Sequence, residues 1–144
     1  MKRAKKGLAF LISLCMIAGM LPTFAYANGD TFAEMKVGDK EAKQYDDQSQ
    51  FFSEFQQATG EISIKLLDDV TINGYIPVSE TQNVELDLNG CTLSTGVSSG
   101  SDLNTRHHYA IENNGTLLIE DTAGNGSIKA RGVKNLGEGI MVIN

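Results

Sequence analysis

VELDLNGCTLS, residues 84 to 94, decides the fold of this chain. Apolar and polar residues alternate as far as Leu88, which predicts a β-strand with one buried face. Asn89 and Gly90 then interrupt the strand before a second short apolar piece. An Asn-Gly pair between apolar runs is a strong hairpin signal. Both residues also tolerate left-handed backbone angles, so the pair could equally form a corner in a stack of strands.

A longer repeat favours the corner. The alternating residues of EISIKL (61–66) map onto NVELDL (83–88) with an offset of 22, and YAIEN (109–113) maps onto IMVIN (140–144) with an offset of 31. Periods of about 20 to 30 residues, each with several short strands, are typical of parallel strands that stack turn upon turn. Hairpin arms of three or four residues would also be weak. We therefore predict an all-β fold, a right-handed parallel β-helix of about three turns, with an antiparallel β-sandwich as the alternative.

The N-terminus has the three parts of a secretory signal peptide over residues 1–27. A basic start is followed by the apolar run LAFLISLCMIAGML, which is short for a membrane span, and then by the small residues of AYA. An uncleaved anchor is the alternative. We expect cleavage between Ala27 and Asn28, and a bacterial protein that is secreted or displayed at the cell surface.

Composition limits the partners of the exported part. Cleavage removes four of the 12 Lys and Arg and none of the 18 Asp and Glu, which leaves a net charge of −10. This charge disfavours nucleic acid and anionic lipid. Only Cys91 remains, so no intramolecular disulfide can form, and we expect this thiol to be buried rather than reactive.

Three segments follow the signal peptide. Residues 28–48 are polar and predict a flexible leader. Residues 49–60 predict a short capping helix, with Ser49 as its N-cap and Gly60 as its end. The helix carries an apolar stripe of Phe51, Phe52, Phe55 and Ala58. Residues 61–144 predict β-helix turns, and the apolar GIMVIN suggests that these turns are incomplete and that the natural chain continues.

Three phrases carry a resemblance to a known family: EISIKLLDDVTINGYIPV (61–78), NVELDLNGCTL (83–93) and YAIENNGTLLIEDTAGNGSI (109–128). They resemble the opening turns of right-handed parallel β-helix proteins with the pectin-lyase-like fold. The likeness covers about residues 50 to 144 and is to secreted and surface proteins of Gram-positive bacteria. It implies either a surface protein without catalysis or a polysaccharide lyase or hydrolase.

One cluster has the residue types of a ligand site. Asp102, Arg106, His107, His108 and Tyr109 lie in or beside a Ser/Gly-rich excursion and could line a sugar-binding patch. The adjacent histidines would point to opposite faces of a strand, so they cannot easily share a metal ion. A solvent-exposed loop is the alternative interpretation.

Carboxylates are the other candidates. Glu85 and Asp87 share a strand face about 7 Å apart, a spacing that could hold calcium or form a catalytic pair, although a solvated outer face is favoured. The pairs at 68–69 and 120–121 stand beside turns, where aspartate caps the backbone. Residues 121–126 imitate a calcium loop in part but lack two of its ligands, which favours a turn. We predict no metal and no cofactor.

These observations support one main functional hypothesis. The chain is expected to be an exported, non-catalytic segment of a larger cell-surface protein that attaches to glycans or a host surface. Its partners would be extracellular polysaccharide and the remainder of its own chain, with no nucleic acid and no membrane after signal cleavage. The alternative is the N-terminal part of a polysaccharide lyase or glycosidase whose catalytic residues lie downstream of Asn144. A purely structural stalk is a third possibility.

Overall fold

The structure, a computed structural model, describes residues 31–96, 109–130, 132–137 and 139–144. Within these ranges the chain is mostly β-strand, with one α-helix. The strands are β1 (Ala33–Val37), β2 (Lys43–Tyr45), β3 (Gly60–Leu66), β4 (Val70–Ile72), β5 (Ile76–Val78), β6 (Gln82–Asp87), β7 (Thr92–Thr95), β8 (Ile111–Asn113), β9 (Thr116–Glu120), β10 (Ser127–Lys129), β11 (Val133–Asn135) and β12 (Ile140–Ile143). The helix α1 spans Gln48–Gln57.

The strands form three sheets, and from β3 onwards every third strand returns to the same sheet. The largest has the order β12-β9-β6-β3-β1-β2, and the other two have the orders β10-β7-β4 and β11-β8-β5. We call β3–β5, β6–β8 and β9–β11 the first, second and third units. From β3 onwards every pair is parallel, and only β1 pairs antiparallel, with β2 and with β3. The antiparallel sandwich is therefore not the arrangement of these strands.

Asn89 and Gly90 form a corner rather than a hairpin. The strands on either side of them, β6 and β7, lie in different sheets and do not pair. Both residues have positive φ angles, 49° and 79°, which L residues other than Asn and Asp rarely adopt. The pair thus has the backbone angles of a tight turn, but the turn directs the chain into the next sheet.

The register confirms one predicted offset and corrects the other. β3 pairs with β6 at the expected offset of 22, so that Ile62 lies beside Val84. The offset of 31 between YAIEN and IMVIN is wrong, because β8 pairs with β11, while β12 pairs with β9 and places Ile140 beside Thr116. Short alternating strands match one another at several offsets, and loops of unequal length obscure the correct one.

The core lies between the three sheets. Inward residues of successive strands stack on one another, and Leu117 and Ile119 point inward while Leu118 is only partly buried. Burial of each large aliphatic side chain contributes about 1.5–3 kcal/mol, more than a typical hydrogen bond. The buried set includes Ile62, Ile64, Leu66, Val70, Ile72, Ile76, Val78, Val84, Leu86, Leu93, Ile111, Leu117 and Ile119.

The polar leader contains ordered strands, so its prediction as a flexible segment over residues 28–48 is wrong for β1 and β2. Ala33, Met35 and Tyr45 are buried in the core. Charged residues stand between the apolar ones, which hides the alternation when composition alone is considered. β1 pairs with β3 over its whole length and so covers the edge of the first unit.

Helix α1 begins earlier than predicted. Its N-cap is Asp47, whose Oδ1 accepts the N–H groups of Ser49 at 2.7 Å and Gln50 at 3.4 Å, so Ser49 is not the cap. The helix ends at Gln57, and Gly60, with φ 78°, already belongs to β3. Aspartate is as good an N-cap as serine, and here it stands two positions earlier.

An aromatic cluster fixes α1 to β2. Phe51 and Phe55 are buried, and the rings of Phe51 and Tyr45 meet edge to face with centroids 5.3 Å apart. The Tyr45 hydroxyl donates to Glu54 Oε2 at 2.7 Å, and Lys43 pairs with the other oxygen of this carboxylate. Burial, followed by the hydrogen bond to Glu54 and its charge, raises the pKa of Tyr45, so its hydroxyl remains a donor.

The predicted signal peptide, residues 1–27, and its cleavage site between Ala27 and Asn28 lie outside the described residues. No helix in the described part of the chain is long and apolar enough to cross a membrane. Export therefore stays a prediction from the sequence.

Candidate functional site

The predicted sugar-binding patch falls mainly outside the described residues, which include only Tyr109. Tyr109 is half-buried directly before the buried Ala110, and Lys134 Nζ lies 5.7 Å from its ring centroid. This residue therefore packs at the entrance to β8, and the patch stays a prediction. The residues outside the description are Asp102, Arg106, His107 and His108.

A groove of about 420 Å³ crosses the outer face of the six-stranded sheet. It forms where alternate residues of β1, β3, β6 and β9 point away from the core. We call it the sheet groove. Its outward side chains are Lys36, Glu61, Ser63, Asn83, Glu85, Thr116 and Leu118.

Register places the side chains of the sheet groove in rows that run across the strands. Glu61, Asn83 and Thr116 occupy equivalent positions on β3, β6 and β9. A second row contains Ser63, Glu85 and Leu118 and continues to Val142 on β12. Neighbouring strands lie about 4.8 Å apart, so a row presents a polar group at about that interval. Amide, hydroxyl and carboxylate groups beside one apolar side chain suit hydrogen bonding to a hydroxylated polymer.

The two carboxylates of β6 differ in their surroundings. Glu85 is exposed, as expected for a solvated face, but Asp87 is 9% exposed, so the expectation is wrong for this residue. Asp87 Oδ1 accepts the N–H groups of Asn89 at 2.8 Å and Thr122 at 3.0 Å, and its Oδ2 accepts the Thr122 hydroxyl at 2.7 Å. Lys65 Nζ lies 3.9 Å from the same carboxylate. Thr122 of the next unit therefore covers Asp87. This contact between units cannot be inferred from the alternation of residues within β6.

These surroundings shift the pKa values of two neighbouring carboxyl groups, those of Asp87 and Glu120, in opposite directions. Burial acts to raise the pKa of Asp87, but the bonds from Thr122 and Asn89 and the charge of Lys65 outweigh it and lower that pKa. Glu120 is paired with Asp87 across β6 and β9, and burial, then the charge and hydrogen bond of Glu85, raise the pKa of Glu120. Opposite shifts can mark an acid and a base. Here the acceptor positions of Asp87 are taken by main-chain and hydroxyl donors, which gives it a structural role.

Two other aspartates cap the backbone of neighbouring units, as predicted for carboxylates beside turns. Asp69 Oδ1 accepts the N–H of Thr92 at 2.6 Å. Asp121 accepts Gly90 N–H with one oxygen and Gly126 N–H with the other, both at 2.6 Å. Residues 121–126 thus form a turn around their own aspartate. Among the described residues, no group of three or more His, Cys, Asp and Glu is placed to hold a metal ion.

Cys91 is half-buried and packs against the core, so the expectation that it is buried holds only in part. It stands directly after the corner, where neither adjoining sheet covers it fully. Burial, followed by the charges of Asp69 and Asp68, raises the pKa of the Cys91 thiol. Its Sγ lies 3.6 Å from the carbonyl oxygen of Asn89, to which the thiol can donate. These surroundings favour the neutral thiol over the reactive thiolate.

Sequence analysis missed the buried amide side chain of Gln82. Its Nε2 donates to the carbonyl oxygens of Phe55 at 2.7 Å and Ala58 at 3.0 Å, and its Oε1 accepts the N–H of Ser79 at 2.8 Å. It therefore bonds two carbonyls at the C-terminal end of α1, of which that of Phe55 also accepts the Ala58 N–H at 3.2 Å. The polar neighbours of Gln82 in the sequence give no indication of this burial.

A second missed amide, Asn113, lies at the opposite corner. It is fully buried, and its Nδ2 donates to Asn135 Oδ1 at 2.7 Å and to the Ile140 carbonyl at 2.9 Å. Its Oδ1 accepts the N–H of Gly115 at 3.1 Å. The sequence did contain a signal for this contact. Asn113 and Asn135 are separated by 22 residues, the same offset that relates β3 to β6.

The polar residues thus fall into two groups. Those at the corners bond to the main chain of adjacent units, and those of the sheet groove face outward. Comparison of the sequence with protein-family models and curated proteins, and of the structure with solved structures, found no match.

Proposed function

We propose that the chain is a right-handed parallel β-helix of about three turns, one turn for each unit. The support is that each unit contributes one strand to each of three sheets, parallel to the strand of the preceding unit. Crossovers between parallel strands of one sheet are right-handed in about 98% of cases, which is the basis for the proposed hand. The pectin-lyase-like resemblance points to the same architecture.

We propose that this β-helix is an exported, non-catalytic segment of a larger cell-surface protein and that its sheet groove attaches to glycans. The observation that carries the proposal is the two outward rows of mainly polar side chains, which repeat across the parallel strands β3, β6 and β9 as sugar units repeat along a polymer. The acidic net charge after signal cleavage disfavours anionic polymers. The ligand class is therefore an uncharged, hydroxyl-rich polysaccharide on a cell or host surface.

Affinity electrophoresis through gels containing dextran, mannan or starch tests this function. We expect at least one of these polymers to retard the protein, and Asn83→Ala or Thr116→Ala to reduce the retardation. Thr71→Ala is the matched control, because Thr71 is also an exposed strand threonine but lies on β4, outside the sheet groove. Absence of retardation by all three polymers, or equal losses with the control variant, would contradict the proposal.

The alternative function is the N-terminal part of a polysaccharide lyase or glycosidase with catalytic residues downstream of Asn144. The pectin-lyase-like resemblance supports this alternative, because that fold includes polysaccharide lyases and hydrolases as well as surface proteins without catalysis. Reducing-end release and the ultraviolet absorbance of unsaturated products, measured with a chain that includes downstream turns, distinguish the two functions. Cleavage of a polysaccharide that the protein binds would replace attachment by catalysis.

Export has its own test. If the signal peptide is removed as proposed, N-terminal sequencing of the protein from the culture medium or cell wall should begin at Asn28. Recovery of exported protein that still begins at Met1 would overturn this part of the proposal.

A further inference from the structure

The described residues contain four Asn-Gly pairs in different hydrogen-bonding environments. In such a pair the main-chain nitrogen of glycine can attack the asparagine side chain, since glycine has no Cβ to obstruct the approach. The attack requires that the glycine N–H lose its proton, so the partner of this N–H controls the reaction. The pairs are Asn73-Gly74, Asn89-Gly90, Asn114-Gly115 and Asn125-Gly126.

A carboxylate protects the pairs at Asn89 and Asn125. Asp121 accepts both glycine N–H groups, from Gly90 and Gly126, each at 2.6 Å. A negative charge at this distance stabilises the N–H group and opposes formation of the amide anion. The side chain of Asn89 is also held by its Nδ2 bond to the Leu66 carbonyl at 2.9 Å.

The pair at Asn114 is protected less. Gly115 N–H donates to the neutral side-chain oxygen of Asn113 at 3.1 Å, a longer bond without a charged acceptor. Asn114 itself is exposed. Neutral hydrogen bonds are weaker than charge-assisted ones. We therefore expect the attack by glycine nitrogen at this pair to be faster than at Asn89 and Asn125, and slower than at a pair whose glycine N–H has no acceptor.

The pair at Asn73 has no such protection. Asn73 is exposed at the corner between β4 and β5, and within the described part of the chain Gly74 N–H donates to no partner. The φ of Gly74 is 127°, a conformation that only glycine adopts readily. Among the described residues, neither the Gly74 nitrogen nor the Asn73 side-chain amide has a competing hydrogen bond.

We propose that Asn73 is a site of spontaneous covalent modification, deamidation through a cyclic imide. Gly74 N–H loses its proton to hydroxide, and the nitrogen forms a bond to Asn73 Cγ. The Cγ–Nδ2 bond breaks, and the amide leaves as ammonia after taking up a proton from water. Water then opens the ring to an aspartyl or isoaspartyl residue.

The modification would change a contact between units. Asn73 Oδ1 packs against Gly96, where a Cβ would lie 2.7 Å from that oxygen. Deamidation introduces a negative charge at this contact, and the isoaspartyl product also lengthens the main chain by one methylene. Asn73 further lines a surface depression beside Phe52 and Tyr75, so the charge would appear at an accessible place.

Peptide mapping by mass spectrometry tests the proposal on the folded protein, incubated at mildly alkaline pH. The rate at each Asn-Gly pair is divided by its rate in the same protein unfolded in urea, which cancels the effect of local sequence. We expect Asn73 to react in the folded state at nearly its unfolded rate. Asn89 and Asn125 should react at least about tenfold more slowly, the factor that a charge-assisted hydrogen bond supplies.

Asp121→Asn tests the cause, because it removes the carboxylate charge at similar size. We expect it to accelerate deamidation at Asn89 and Asn125 and to leave Asn73 unchanged, while circular dichroism reports whether the variant is folded. If that variant is unfolded, the folded-to-unfolded rate ratios of the wild-type protein decide the question alone. Equal ratios at all four pairs, or a slower reaction at Asn73 than at Asn89, would overturn the proposal.

Discussion

Single aspartates bond one unit to the next at the corner between the six-stranded sheet and the β4–β7–β10 sheet. Asp69 of the loop after β3 accepts from Thr92 at the start of β7, and Asp87 of β6 accepts from Thr122 after β9. Hydrogen bonds to charged groups contribute about 1.5–3 kcal/mol each, more than neutral ones. These side chains therefore link consecutive units in addition to the stacked aliphatic core.

The first prediction concerns Asp87→Asn. We expect it to lower the free energy of unfolding at neutral pH by about 1–3 kcal/mol, because one oxygen acceptor becomes an NH₂ group that faces donors. Since folding lowers the pKa of Asp87, its stabilising contribution is present above the unfolded pKa and is lost as pH falls through the folded value. Urea denaturation should show a difference between wild type and variant that is full at pH 7 and shrinks below about pH 4.

Glu61→Gln is the matched control for Asp87→Asn. Glu61 is an exposed carboxylate on the same outer face of the sheet, so its neutralisation should change stability by less than about 0.5 kcal/mol. An equally small effect of Asp87→Asn would show that the corner bonds contribute nothing measurable, and an effect that persists unchanged at low pH would show that the carboxylate charge is not its cause.

Asp87 also shows where sequence reasoning stops at the residue scale. Alternation within β6 correctly placed Val84 inward and Glu85 outward. The partner of Asp87 is Thr122, 35 residues later in another unit, and no pattern local to β6 contains it. The caps formed by Asp69 and Asp121 were predictable, because aspartate beside a turn commonly bonds main-chain N–H groups.

At the scale of elements, close approach between units restricts one glycine. A Cβ at Gly115 would lie against the carbonyl oxygens of Ser79 and Gln82, closer than van der Waals contact allows. We expect Gly115→Ala to lower the free energy of unfolding by at least about 1–3 kcal/mol, because the corner before β9 must move away from the corner before β6. Thermal melts of Gly115→Ala and of the neighbouring exposed control Asn114→Ala measure this, and equal melting temperatures would contradict it.

Helix α1 depends on an amide from the second unit. Gln82→Met keeps the length of the side chain but removes the Nε2 donor, so that the Ala58 carbonyl loses this bond and the Phe55 carbonyl keeps only the Ala58 N–H. We expect a loss of about 1–3 kcal/mol in the free energy of unfolding. Relative to the wild-type protein, Gln82→Met should accelerate hydrogen exchange more in α1 than in β9. Gln56→Met, at an exposed helix position, is the control, and unchanged protection of α1 in Gln82→Met would show that the aromatic cluster alone holds the helix.

The existence of most elements followed from the sequence, but their bounds and their partners did not. Most strands after residue 60 and the helix followed from the period of the apolar residues. β11 (Val133–Asn135) did not, because it contains a single apolar residue and shows no alternation. β1 was missed because charges separate Ala33 from Met35 and Val37, and its apolar face becomes evident only when β3 lies beside it. The partners of β8 and β12 were misjudged because the connections between units differ in length.

At the scale of the whole molecule, the first and last strands of the stack are protected differently. The first unit is covered by β1, β2 and α1, and Gln48 Nε2 donates to the Thr71 carbonyl at the edge of β4, 2.9 Å away. At the other end, β12 pairs only with β9. Its side chains Ile140, Val142 and Ile143 are 60%, 47% and 64% exposed, and the strand carries no charge. Charged residues or proline on an edge strand would oppose further pairing, and β12 has neither.

The last prediction is that protein beginning at Asn28 and ending at Asn144 self-associates through β12. Antiparallel pairing about a twofold axis at Val142 would place Met141 of one copy opposite Ile143 of the other, on the face where these residues already continue the rows of Leu117 and Ile119. Burial of the exposed aliphatic surface exceeds the cost of association only slightly, so we expect a dimer with Kd on the order of 0.1–1 mM.

Sedimentation velocity over a range of concentrations measures this association. Val142→Lys should abolish it, because the edge would then present a charge in each copy. Thr71→Lys on β4 should leave the association unchanged.

Addition of a further strand of the same alternating pattern after β12 should also remove the association and raise the melting temperature. The new strand would cover Met141 and Ile143 in the way that β12 covers β9. A protein that stays monomeric at millimolar concentration and melts sharply and reversibly would show that the edge of β12 is stable in water, and the exposed aliphatic side chains would then need another physical explanation.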